Sequence, residues 1–194
     1  MLFDEPLPQI QARLSRWVKQ GEIIKVRRGI YVLRPEQHRQ DFSIYYVSNY
    51  LYRPSYVSLS SALEFHGLIP EAVAGVQAVT TRSAKTWETH LGRFQYYSLS
   101  RDRFWGYREY TASAVAAPPL QSRYLMARPE KSLLDWLYVS GGEWTEERIG
   151  EMRFQDLERL DRDGLLEAAR RFKSPRVLRA VRRLSKMFFG RKAS

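Results

Sequence analysis

The chain has 194 residues, of which 44% are hydrophobic and 13% aromatic, enough apolar material to bury a core and to argue against disorder. It contains no cysteine, which excludes disulfides, thiolate zinc sites and cysteine catalysis together. The net charge of +11 is unevenly spread: residues 1–40 hold eight Lys/Arg against four Asp/Glu, residues 41–164 fourteen against sixteen, and residues 165–194 ten against one. Basic ends around a near-neutral middle predict two patches that face a polyanion. An acidic membrane surface is the rival partner for a basic amphipathic helix. No apolar run reaches the roughly 18–20 residues of a membrane span. The opening MLFDEPLPQ lacks the layout of a secretory signal, so a cytoplasmic location is expected.

Residues 7–20 predict a helix, because Ile10, Leu14, Trp17 and Val18 recur at the spacing of one buried face. Gln9, Ala12, Arg16 and Lys19 fall opposite them, with Arg13 on the flank. Pro6 and Pro8 suit the entry of that helix and Gly21 its exit. Residues 22–26 and 30–33 then alternate as two strands around Arg27-Arg28-Gly29, a hairpin whose tip carries the most basic dipeptide of this region. A helix followed by a basic-tipped hairpin is the latter half of a winged helix-turn-helix. Residues 34–40 read as a polar linker, and 41–51 as an aromatic-rich helix capped by Asp41.

A second helix is expected over 58–65, with Ser58 and Ser60 as capping residues. From Val76 to Leu125 the segments VQAVTT, GRFQYYSLS, GYREYT and RYLMA are β-branched and aromatic, which predicts a small sheet. Pro129 opens PEKSLLDWLYV, a buried helix through Leu133, Leu134, Trp136 and Leu137 that Gly141-Gly142 stops. Helices are expected over 154–160, 164–172 and 174–189. The last is sharply amphipathic, with Val177, Leu178, Val181, Leu184 and Phe188 on one face and Arg176, Arg179, Arg182, Arg183 and Lys186 on the other.

Sequence-specific DNA binding needs side chains that read base edges and cations that fix register on phosphate. Gln9, Arg13 and Arg16 have the chemistry for the first task. Lys19, Lys25, Arg27 and Arg28 suit the second, with the hairpin tip as a wing. Three roles stand open for the tail helix: to extend that footprint through Arg176, Arg179 and Arg183, to contact RNA, or to sit in solvent. Catalytic signals are poor. His38, His66 and His90 show no ligand spacing, and neither a GxSxG elbow nor a phosphate-binding glycine loop is present, so neither an enzyme nor a metal or cofactor site is expected. Glu130 and Asp135 flank Lys131 and predict a structural ion pair. Trp105, Tyr107 and Tyr110 read as core or sheet-face aromatics more readily than as base-stacking platforms.

The order LSRWVKQGEIIKVRRGIYVL, YVSLSSALEFHGLIPE, AVTT, GRFQYYSLS, ARPEKSLLDWLY resembles the AbiEi antitoxins of bacterial type IV toxin–antitoxin pairs, in sequence from Leu14 to about Leu184. The most specific parts are SYVSLSSALEFHGLIPE and ARPEKSLLDWLY. The resemblance implies an N-terminal winged helix-turn-helix, 1–36, that binds an inverted-repeat operator in double-stranded DNA and represses its own operon. It implies an α+β antitoxin domain, 41–194, with a basic C-terminal helix, opposing an AbiEii-type nucleotidyltransferase-like toxin without need of a stable complex. The recognition positions would then be Gln9, Arg13, Arg16 and Lys19, and the wing Lys25 to Gly29. His66 falls in HGLIP, with packing on Leu68 and Pro70 as its only expected role.

One departure stands out: only MLFDEP precedes the recognition helix, where such regulators have a full first helix. Leu14, Trp17 and Val18 are therefore expected to be thinly covered, or to pack on the second domain. The expected class is α+β. A protein-interaction module that neutralises a toxin by direct contact, without selective DNA binding, is the alternative function.

Overall fold

Two prolines and a glycine bound the first helix. Pro6 stands at its N-cap with Pro8 in the first turn, and the chain leaves through Gly21 at φ 74°, so α1 runs Leu7–Gln20 as its spacing predicts. The structure, a computed structural model, describes residues 5–34, 43–111 and 123–189. Strands β1 (Ile23–Arg27) and β2 (Ile30–Leu33) pair antiparallel with a bulge between Lys25 and Arg27. Gly29, at φ 79°, turns the hairpin through a backbone region that side-chain-bearing residues rarely adopt. The expected linker beyond Arg34 and the expected Asp41 cap lie outside the described residues. Helix α2 (Ile44–Leu51) starts later than expected, and its cap is Ser43, whose Oγ accepts from the Tyr45 N–H at 3.2 Å.

Strand β3 (Ser55–Val57) was not expected from the sequence, and α3 (Leu59–Phe65) follows it. Ser58 does occupy the N-cap position of α3, but its hydroxyl donates to Asp135 Oδ2 at 2.8 Å and accepts no N–H from the helix end. Ser60 lies inside the helix, and its N–H is taken by Gln77 Oε1 at 3.1 Å. The sheet comprises β3, β4 (Val76–Thr80), β5 (Lys85–Thr89), β6 (Gly92–Ser98), β7 (Tyr107–Thr111) and β8 (Arg123–Ala127), in the order β5-β6-β4-β3-β8-β7. The β4–β6 and β3–β8 pairs are parallel and the others antiparallel.

Four helices follow: α4 (Pro129–Val139), α5 (Glu146–Glu151), α6 (Arg162–Arg171) and α7 (Pro175–Leu184), the last running into a π-turn at Ser185–Phe189. The expected helix over 154–160 is corrected to a single 3₁₀ turn at Leu157–Arg159. Arg153 and Asp156 hold φ of 49° and 52°, which breaks a right-handed helix before Phe154 and again before Leu157. Phe154, Leu157 and Leu160 are all buried, so their three-residue spacing records burial and not helical periodicity.

Apolar side chains gather in two adjoining clusters. One joins the sheet to α2 through Val47, Leu51, Val57, Val79, Phe94 and Met126, and takes in Val26 of the hairpin. The other fills the helical half through Leu133, Leu137, Trp144, Phe172, Val181 and Leu184. Helix α3 stitches them together, giving Leu59 and Ala62 to the first and Leu63 to the second. The class is mixed α+β.

Candidate nucleic-acid interface

Helix α1 offers a polar face to solvent: Gln9, Ala12, Arg16 and Lys19 are all exposed. Its apolar stripe, Ile10, Leu14, Trp17 and Val18, is only half-buried, and no residue of the helix is fully covered. Leu7 remains 73% exposed. Arg13 is committed elsewhere, since its Nη2 donates to Glu5 Oε1 at 2.7 Å and its guanidinium lies 5.9 Å from the Trp17 ring centroid. The helix is tied to the hairpin by the Glu22 N–H donating to the Trp17 carbonyl at 2.9 Å and by the Arg34 N–H donating to the Glu22 carbonyl at 3.4 Å.

The hairpin tip divides its cations between two tasks. Lys25, Arg27 and Arg28 are all exposed, and of the three Arg27 also holds an aromatic partner. Arg27 folds back with its guanidinium 5.4 Å from the Trp87 ring centroid, a cation–π contact onto β5. Trp87 is wedged edge-on against Tyr52 at 5.1 Å and Tyr96 at 5.4 Å. With Val26 buried and Ile30 and Val32 packed on the same cluster, the hairpin is rooted in the sheet. Within residues 5–34, seven Lys/Arg stand against Glu5 and Glu22, so the helix–hairpin unit keeps a strongly positive field.

Three arginines of the tail helix, Arg176, Arg179 and Arg183, serve the fold. Arg176 donates to the carbonyls of Tyr138 at 2.6 Å and Gly142 at 2.9 Å. Arg179 donates to both oxygens of Glu143, at 3.2 and 3.1 Å, while Arg183 reaches Glu143 at 2.8 Å and the Trp144 carbonyl at 2.7 Å. Two guanidiniums on successive turns thus clamp one carboxylate, and their hydrogen bonds hold the Glu143 carboxyl down at about 2. Arg182 and Lys186 are exposed.

A buried polar centre lies between sheet and helices. Lys131 and Asp135, one turn apart on α4, form an ion pair with side chains 2% and 0% exposed. Glu130, the other carboxylate expected beside Lys131, is not its partner. The Tyr56 hydroxyl accepts from Lys131 Nζ at 2.7 Å and donates to Asp135 Oδ2 at 2.9 Å, where Ser58 also donates. Burial pushes the Asp135 carboxyl up and the Lys131 ammonium down, and their pairing pulls each back. Trp105 lies 5.3 Å from that ammonium, Tyr107 stacks on Tyr56 at 4.7 Å, and Tyr110 lies parallel to Tyr124 at 6.0 Å. All three expected aromatics are packed in this way. Sequence reasoning found the ion pair and missed Tyr56 and Ser58, whose signal was the two-residue spacing that extended backbone carries from β3 into the α3 cap.

His66 makes contacts beyond its expected segment: its Nε2 donates to the Ala127 carbonyl at 2.9 Å, its ring meets Phe65 edge-on at 5.2 Å, and burial pulls its pKa down. Among the described residues no group of three or more His, Asp or Glu gathers as a metal site, and no helix is long and apolar enough to cross a membrane. No protein-family model matches the chain, and a comparison with the curated proteins finds no match.

Proposed function

We propose that the chain is a DNA-binding autorepressor of toxin–antitoxin type, in which α1 and the β1–β2 hairpin act as the recognition helix and wing of a winged helix-turn-helix. The observation that carries this reading is the exposed row Gln9, Arg16 and Lys19 on α1, joined to exposed Lys25 and Arg28 on a hairpin fixed to the sheet. Gln and Arg match adenine and guanine edges in the major groove, and the hairpin cations match phosphate. Arg13 and Arg27 act here as supports, through Glu5 and Trp87. Arg176, Arg179 and Arg183 fall outside the proposed contact surface. The segments that resemble AbiEi antitoxins, SYVSLSSALEFHGLIPE and ARPEKSLLDWLY, supply the buried centre and support an antitoxin body that opposes a nucleotidyltransferase-like toxin.

The half-covered apolar stripe of α1 favours a second reading, direct contact with a toxin. Binding of the chain to its own upstream DNA and to scrambled DNA, over a salt series, separates the two. For the repressor, Gln9→Ala/Arg16→Ala abolishes selectivity worth about 1–3 kcal/mol per base contact, and Lys25→Ala/Arg28→Ala lowers the salt slope by about 2. Equal weak binding to both DNAs, with a toxin that co-purifies, overturns the repressor in favour of the contact module.

A further inference from the structure

A run of contacts leads from the hairpin tip across β5 and onto α2, with cations and aromatic rings interleaved along it. Arg27 lies 5.4 Å from the Trp87 ring centroid, and Lys85 lies 6.0 Å from the same ring. Trp87 meets Tyr52 edge-on, and the Arg82 guanidinium lies 4.7 Å from the Tyr52 centroid. Arg82 also donates to the Arg53 carbonyl at 3.4 Å, and the Arg53 guanidinium lies 4.5 Å from the centroid of Tyr50. Tyr50 and Tyr46, one turn apart on α2, end the run with their centroids 6.3 Å apart. Arg27, Lys85, Arg82 and Arg53 are all exposed, and none of them forms an ion pair among the described residues. Strand alternation sends Glu88 to the face of β5 opposite Lys85 and Trp87, and it pairs with Arg93 at 3.1 Å.

Four cations without a carboxylate along one run of contacts attract a polyanion. The rings narrow the choice of polyanion. Tyr46 is 37% and Tyr50 49% exposed, which leaves two large rings of one helix face in water. A duplex keeps its bases stacked on one another and would engage only the cations. A single strand offers bases to the rings and phosphates to the guanidiniums together. Arg53 and Arg82, exposed and seated on rings, add planar groups on which bases also stack. Unpaired, splayed bases are above all a feature of RNA loops and ends. We propose that this band binds single-stranded RNA, with bases stacked on Tyr46 and Tyr50 and phosphates held by Arg53, Arg82 and Lys85. It touches the hairpin only at Arg27 and does not depend on the repressor reading.

Fluorescence anisotropy of the full chain with a labelled oligouridylate of about twelve nucleotides tests it, over a salt series and beside a duplex of equal length. The oligouridylate is expected to bind with a salt slope of about −3, from four cations at about 0.7 each. Arg53→Gln/Arg82→Gln should reduce that slope by about 1.4. Tyr46→Leu/Tyr50→Leu gives the sharper sign, because it keeps every charge on the surface. It should weaken the oligouridylate at least about tenfold, with duplex binding held within about twofold and an unchanged melting temperature. Gln9→Ala/Arg16→Ala, which tests the repressor, should leave the oligouridylate within about twofold, so the two readings fail separately. Oligouridylate binding that Tyr46→Leu/Tyr50→Leu leaves unchanged overturns the proposal, by reducing the band to unselective charge. Absence of binding at about 0.1 M salt overturns it as well. Tighter binding of an oligothymidylate DNA of the same length overturns the assignment to RNA. Capture by phosphatidylserine vesicles without oligouridylate binding overturns it in favour of a membrane surface.

Discussion

Replacing Lys131 by methionine keeps the stem that packs among Tyr56, Trp105 and Phe172 but removes the ammonium from Asp135. The carboxylate is then left at 0% exposure with only the Tyr56 and Ser58 hydroxyls as donors. Breaking a buried pair from one side costs about 3–5 kcal/mol. For a chain of this size that lowers the melting temperature by about 6–20 °C. The orphaned carboxyl has a folded-state pKa above its unfolded one, so its protonated form favours the fold. Its deficit is therefore smallest below the ordinary aspartate range and grows as pH rises. Urea unfolding of Lys131→Met at about pH 5 and about pH 7 should show the larger loss at the higher pH. Lys131→Met/Asp135→Asn, which removes both charges and leaves the amide oxygen to accept from Tyr56 and Ser58, should recover more than half of the loss. A single variant within about 1 kcal/mol of wild type, or a double variant whose losses simply add, would refute this account of the centre.

Glu143→Gln releases the clamp on α7. Because the wild-type carboxyl is depressed to about 2 from an ordinary 4.5, its contribution is present above 4.5 and lost as pH falls towards 2. The gap in melting temperature between wild type and variant should therefore hold near neutrality and close over that acid window; a gap unchanged at its lower end contradicts the clamp. Gly75→Ala sets a Cβ 2.2 Å from the Arg93 carbonyl oxygen at φ +86°, just before the β4–β6 pairing begins, whereas Gly29→Ala meets open space at φ +79°. Both carry backbone strain of about 1–3 kcal/mol, and only Gly75→Ala adds a clash with main chain. Urea unfolding should show the larger loss for Gly75→Ala, and equal losses would count against the clash.

Local signals carried far in this chain. Helix α1 is written by Pro6, Pro8 and Gly21, and the hairpin by alternation around Gly29, so both are legible from neighbours alone. The strand Ser55–Val57 is not, because three residues between a proline and a helix become a strand only through β4 and β8, distant in sequence. Lys85–Thr89 escaped notice because an edge strand exposed at Lys85, Thr86 and Glu88 lacks an apolar run. Helix α5 buries Ile149 alone, too little for a periodic signal. The candidate surface was legible as chemistry but not as geometry. Exposure of Gln9, Arg16, Lys19, Lys25 and Arg28 agrees with their sequence pattern, while the turning of Arg13 to Glu5, Arg27 to Trp87 and the tail arginines to Glu143 depends on partners up to 60 residues away.

The rooting of the hairpin in the sheet has a thermodynamic consequence. A loop that waves freely must lose backbone and side-chain freedom when anything docks on it, and that loss subtracts from affinity. Here Val26, Ile30 and Val32 are already packed and Arg27 is already held on Trp87, so most of the ordering is done during folding. What remains to be immobilised at the tip is the long flexible side chains of Lys25 and Arg28, at about 0.5–1.5 kcal/mol each. A partner therefore meets a tip preset in position, with freedom left only in the cations that touch it.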